Sequence, residues 1–177
     1  WLGCACCPPN FARTIMSIQQ YIYTIDRNHL YINLFIGSEA DIEGVKIKQV
    51  TDVPYGSETK ISLSNVADKV IHIRKPTWGN DFRIETTTKF EETSEFYLLY
   101  SETSQIEVTV TFEQAVRYVK SNPKVPSSFK KTAVTKGPFV YCGEEVDNEE
   151  NLHLYEIIEG SQVKEGTQNN LLNRTLS

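Results

Sequence analysis

The sequence has 177 residues, with 18 Lys and Arg against 23 Asp and Glu and a formal net charge of −5. That length can bury a core without disulfide or metal staples, and the mild acidity argues against a nucleic-acid binder, which would carry a basic patch. No apolar run approaches the roughly 18 residues of a membrane-spanning helix, and 40% hydrophobic content with 11% aromatics separates the chain from disordered ones.

Residues 1–7 read Trp-Leu-Gly-Cys-Ala-Cys-Cys, with neither a charged n-region nor an apolar h-region, so no signal peptide is visible. A start of this kind suggests a fragment of something longer. Pro8 and Pro9 suit the first turn of a helix, where their missing N–H groups cost nothing. Phe11, Ile15 and Ile18 then recur at helical spacing, which predicts one helix from about Pro9 to Gln20. From Tyr21 the period changes to two. Strands are predicted at Tyr21–Ile25 and Leu30–Ile36, joined by the polar turn Asp26-Arg27-Asn28-His29. Others follow at Asp41–Val50, Thr59–Ser64, Lys69–Arg74, Phe82–Thr88, Phe96–Tyr100 and Gln105–Phe112. In the last, Ile106, Val108, Val110 and Phe112 face inward. A strand at Ala115–Val119, a proline-bearing loop over 121–128 and a strand at Lys131–Tyr141 complete the pattern. Residues 144–151 read as an acidic surface loop.

Val, Ile, Thr, Tyr, Phe and Trp make up 64 of the 177 residues, while Ala and Leu supply only 17. Propensity therefore favours strands. The fold class expected is mainly β, an antiparallel β-sandwich preceded by one short N-terminal helix.

Chemistry-bearing residues are unevenly spread. Three of the four cysteines, Cys4, Cys6 and Cys7, crowd together, and the fourth is Cys142. Clustered thiols at a helix entry, where the dipole favours negative charge, suit metal ligation or a thiolate nucleophile. Cys4-x-x-Cys7 also has redox-pair spacing, and inert cysteines are the plain alternative. A zinc site ordinarily needs four ligands, and this loop offers two or three. His29, His72 and His153 show no ligand spacing, so each reads as a surface or hydrogen-bonded structural histidine. Trp78, Tyr97 and Tyr100 are candidates for a sugar-stacking platform, although aromatics in strands usually belong to the core.

The stretch Trp1-x-x-Cys4-x-Cys6-Cys7-Pro8-Pro9-Asn10-x-x-Arg13 resembles the signature of glycoside hydrolase family 127, the β-L-arabinofuranosidases. Four later segments follow in that family's order: Tyr21-Ile22-Tyr23, the run from Leu30 to Ser38, Arg74-x-Pro76-x-Trp78, and the run from Lys136 to Glu145. The resemblance implies a retaining glycosidase in which an (α/α)6 barrel precedes β-sandwich domains. It implies that Cys6 is the nucleophile and a Zn ligand, and that Cys7 is a second Zn ligand. Cys4 gains no role. The family's other Zn ligands, its acid/base Glu and its sugar-binding histidines precede the cysteine motif, outside this chain.

On this reading residues 1–20 are the end of a missing catalytic barrel and 21–120 a β-sandwich. Residues 121–177 hold further strands and the acidic loop, with the start of a second sandwich as one reading. The full-length enzyme would act on an arabinofuranoside-type carbohydrate. The chain alone is expected to be inactive and to bind zinc weakly or not at all. A stand-alone carbohydrate-binding or structural sandwich is the alternative, disfavoured by the thiols before the helix. The helix's apolar stripe, once deprived of a barrel, leads to the expectation of a homodimer or disulfide-linked species. No nucleic-acid or membrane partner is expected, and the thiols lean toward a reducing, bacterial cytoplasmic compartment.

Overall fold

The computed structural model describes residues 6–145, 151–157, 168–169 and 175–176. It begins with helix α1 (Cys7–Ser17) and a short turn of helix, α2 (Gln19–Ile22). Pro8 and Pro9 occupy the first turn as expected, and the helix starts slightly earlier than the hydrophobic stripe alone predicts. Every element that follows within the described residues is a strand or a single 3-10 turn.

The strands are β1 (Tyr23–Asp26), β2 (His29–Ile32), β3 (Ser38–Ile42), β4 (Val45–Thr51), β5 (Glu58–Ser64), β6 (Val70–Arg74), β7 (Asn80–Glu85), β8 (Phe90–Glu92), β9 (Phe96–Tyr100) and β10 (Gln105–Glu113). They form two five-stranded sheets, one in the order β1-β2-β6-β9-β8 and the other in the order β3-β4-β5-β10-β7. Period-two side chains give each sheet one buried face. The first contributes Leu30, Ile32, Ile71, Ile73, Tyr97 and Leu99. The second contributes Val45, Ile47, Ile61, Leu63, Val108 and Val110, all nearly inaccessible to solvent. This is the expected sandwich. One pairing departs from the antiparallel pattern, since β2 runs parallel to β6, with Leu30 opposite Ile71 and Ile32 opposite Ile73.

A polar tie joins the two layers. The Gln49 Nε2 donates to Tyr23 Oη at 2.8 Å and to the Leu34 carbonyl at 3.1 Å. Tyr23 Oη and Ser38 Oγ lie 2.8 Å apart, and Ser38 Oγ donates to the Ile36 carbonyl. A carbonyl can only accept, so Leu34 fixes which end of the amide faces it. Gln49 Oε1 is then left buried without a partner among the described residues.

Several strand limits differ from the sequence reading. The single strand predicted over Asp41–Val50 begins in the first strand of a hairpin, β3 and β4. Its two-residue turn places Glu43 at φ 53° and Gly44 at φ 82°, and two successive left-handed residues match the twist of the flanking strands. The strand predicted over Leu30–Ile36 ends at Ile32, after which residues 33–37 leave the ladder while Phe35 stays buried. The turn before it is tighter than expected, because Asp26 and His29 already pair and only Arg27 and Asn28 form the loop. β8 was not predicted. Its three residues are all exposed, so burial writes no apolar alternation into them.

The chain divides into two compact units. One comprises residues 1–77 and 82–112, and the other residues 78–81 and 113–177. In the second, β11 (Val116–Lys120), β12 (Thr132–Lys136) and β13 (Phe139–Tyr141) form a three-stranded antiparallel sheet. The strand predicted over Lys131–Tyr141 is broken by a turn at Gly137-Pro138, where Gly137 adopts φ 54° and Lys136 pairs with Phe139. A 3-10 turn covers Leu152–Leu154, and β14 (Gln168–Asn169) pairs with β15 (Thr175–Leu176). Of the acidic stretch 144–151, residues 146–150 lie outside the described residues.

Candidate active-site cysteine pair

Two thiols meet at the start of α1. Cys6 is the residue that caps the helix and Cys7 is its first helical residue. Both side chains are exposed, and their Sγ atoms stand 3.5 Å apart. Asn10 fixes this turn, since its backbone N–H and its Nδ2 both donate to the Cys6 carbonyl, at 3.4 and 2.7 Å. The cap is therefore closed on its carbonyl side by a side chain four residues on, while both thiols point to solvent.

The pair suits a shared soft cation. Two thiolates bound to one tetrahedral zinc at about 2.3 Å would lie about 3.8 Å apart, a few tenths of an ångström from what the helix start already provides. Among the described residues no group of three or more His, Cys, Asp or Glu side chains could hold a metal ion. The described residues therefore bring two thiols together, short of the four ligands a tetrahedral zinc ordinarily needs. Cys4 lies outside the described residues. Cys142 is exposed just after β13, in the second unit.

The helix that carries the pair is amphipathic but uncovered. Phe11 is 70% exposed and Ile15 53%, and α1 has no buried residue. The sequence stripe is present, and nothing among the described residues covers it.

The other candidates separate. Tyr97 is 1% exposed and faces the core, whereas Tyr100, three positions along the same strand, lies on the opposite face and bonds Glu91. They cannot share a stacking platform. Burial pushes the Tyr97 phenol up to about 12, with the Glu92 charge adding to it. His29 and His72 are hydrogen-bonded structural histidines, as expected, but their partner is each other: Nδ1 of His29 lies 2.9 Å from Nε2 of His72. Forty-three residues separate them, so spacing could not reveal the pairing. His153 sits in the 3-10 turn Leu152–Leu154, and its side chain lies outside the described residues.

Comparison with known proteins decides the lineage. Residues 29–116 match the family model for the β-L-arabinofuranosidase GH127 middle domain, and residues 116–171 match that for the glycoside hydrolase family 127 C-terminal domain. The chain belongs to glycoside hydrolase family 127. It is 30% identical over 174 residues to a non-reducing end β-L-arabinofuranosidase of Bifidobacterium longum subsp. longum, covering 90% of this chain and 26% of that relative. Among solved structures it is similar to a GH127 β-L-arabinofuranosidase from Geobacillus stearothermophilus T6, with a TM-score of 0.80 and 30% identity, covering 98% of this chain and 29% of that one. It is also similar to another GH127 β-arabinofuranosidase, with a TM-score of 0.70 and 27% identity over 86% of this chain and 28% of that one. The family 127 chain described here therefore spans between a quarter and a third of these relatives' length. No helix among its described residues is long and apolar enough to cross a membrane.

Proposed function

We propose that this chain supplies the thiol corner and the supporting sandwich of a retaining, zinc-dependent cysteine β-L-arabinofuranosidase. The adjacent Cys6 and Cys7 thiols, 3.5 Å apart at a helix start in a family 127 chain, carry the reading. Cys6 and Cys7 would hold the zinc, which when bound supplies positive charge that keeps sulfur in its thiolate form. Cys6 is the nucleophile. Its sulfur forms a bond to the anomeric carbon as the glycosidic C–O bond breaks, and the departing oxygen takes a proton from a carboxylic acid. Water then attacks the same carbon, gives its proton to that carboxylate and restores the thiolate. Asn10 holds the Cys6 carbonyl and so sets the direction from which the sulfur projects.

Neither the acid nor the remaining metal ligands are expected within this chain, so the chain alone should bind zinc weakly and should not hydrolyse arabinofuranosides. The substrate of the whole enzyme is an arabinofuranoside-type carbohydrate. The uncovered stripe of Phe11, Ile15 and Ile18 would lie against the catalytic part, or against a second copy when that part is missing.

Cobalt provides the direct test. Titrating the reduced chain with Co2+ should produce sulfur-to-metal charge-transfer absorption that weakens in Cys6→Ser and in Cys7→Ser and vanishes in the double variant. Absorption indifferent to both substitutions would remove the cysteine pair from the metal site. One tightly held equivalent of zinc together with arabinofuranosidase turnover by the 177-residue chain would overturn the divided-site reading.

A further inference from the structure

On the outward face of the first sheet, His29 from β2 and His72 from β6 meet where the β1–β2 hairpin joins the rest of the sheet. The hairpin forms one edge of that sheet and is held to it through β2 alone, since the order is β1-β2-β6-β9-β8. A nitrogen separation of 2.9 Å with ring centroids 5.1 Å apart sets the rings nearly end to end. Their lone-pair axes then point at each other and not at a common third point, which is the arrangement for sharing a proton rather than for chelating a metal. Tyr31 stacks on His72 at 4.2 Å, and Phe96 meets His72 edge-on at 5.9 Å. The pair is thereby walled by aromatic rings and half-buried.

We propose that His29 and His72 form a one-proton clasp that fastens the β1–β2 hairpin to β6 at neutral pH and opens when both rings are protonated. One nitrogen must donate and the other accept, so the bond exists for the neutral pair and for the pair carrying one extra proton. A second extra proton puts an N–H on both facing nitrogens and two like charges within one contact. Burial, with the nearby His29 second, holds the His72 imidazole below the usual histidine range. The sign follows. A base that binds its proton less readily in the folded state stabilises the fold fully above the ordinary histidine range, and that stabilisation is lost as pH falls through the lowered one. The charged groups around the face are Asp26 on β1, opposite His29; Arg27 and Lys69 at the hairpin end; Arg74 on β6; and Glu91 on β8, engaged by Tyr100. Val70, Phe96 and Leu98 complete it without charge. This proposal does not depend on the glycosidase reading.

Histidine ring NMR titration of the chain tests it directly. His72 should titrate below the ordinary histidine range, and in His29→Gln it should move up toward that range. Hydrogen exchange supplies a second readout. After correction for intrinsic rates, opening of β2 amides should increase about three- to tenfold as pH falls from about 7.5 to about 5. That increase should disappear in His29→Gln and in His72→Gln. A His72 titration unmoved by His29→Gln, or an acid-induced opening unchanged in both variants, would overturn the clasp.

Discussion

The tie between the two sheet layers makes a quantitative prediction. Tyr23→Phe deletes one oxygen, and with it the acceptor of one Gln49 amide N–H. Gln49 is only 3% exposed and its Oε1 already lacks a partner among the described residues, so the second N–H would become another buried orphan. Leaving a buried donor unsatisfied costs about 1–3 kcal/mol. The Ser38 hydroxyl keeps its bond to the Ile36 carbonyl and adds little. Replacing the amide as well, in Tyr23→Phe with Gln49→Leu, removes both amide orphans but takes the donor from the Leu34 carbonyl, so the loss should shrink only to about 1 kcal/mol, the net worth of one hydrogen bond. Urea denaturation of the four proteins in the cycle, followed by tryptophan fluorescence and far-UV circular dichroism, reads the differences. The double variant should be more stable than Tyr23→Phe alone. A Tyr23→Phe midpoint indistinguishable from wild type, or a double variant no better than the single, would refute the assignment of the inter-sheet tie.

Two further outcomes follow from the same structure. Tyr97, whose phenol is pushed up to about 12 by burial and Glu92, favours the fold in its neutral form; that contribution is complete below the ordinary tyrosine range near 10 and is lost as pH rises through about 12. Absorbance titration of the folded chain should therefore show one tyrosine ionising last, and Tyr97→Phe should lose that late step. At the other end, replacing Pro8 and Pro9 by Ala adds two N–H groups to the first turn of α1 and should speed alkylation of the metal-free thiols about two- to fivefold, the scale of a helix-terminus interaction of roughly 0.3–1 kcal/mol; an unchanged rate would mean the helix end does not act on the sulfurs.

What could be read from the sequence was local, and what could not was set by partners distant in the chain. β9 has the limits its apolar alternation predicts, and in β10 the inward set Ile106, Val108, Val110 and Phe112 is buried. There, period two and burial on one face are the same fact. The β3–β4 hairpin escaped because Glu43-Gly44 interrupts a run that remains strand-like on both sides. The parallel β2–β6 pairing escaped because register between strands forty residues apart is decided by the fit of two apolar faces. The cysteine pair was legible for the opposite reason. Adjacent thiols before a helix need no tertiary contact to meet, whereas His29 and His72 become neighbours only through that parallel register.

The prolines that mark the helix start also limit what the helix can do for its thiols. A helix terminus attracts an anion through the N–H groups of its first turn as much as through its overall dipole. Here Pro8 and Pro9 have no N–H, so Cys7 is the only one of the first three helical residues with a donor. Asn10, the next residue, directs both its backbone N–H and its side-chain amide to the Cys6 carbonyl instead of toward sulfur. The turn thus holds two sulfurs 3.5 Å apart beside a first helical turn in which Pro8 and Pro9 offer no N–H. On the proposed zinc reading, Cys6 and Cys7 would hold the cation, and it would supply positive charge that a first turn with two prolines does not. The same two prolines therefore account for a helix start that is rigid, exposed and poor in N–H donors.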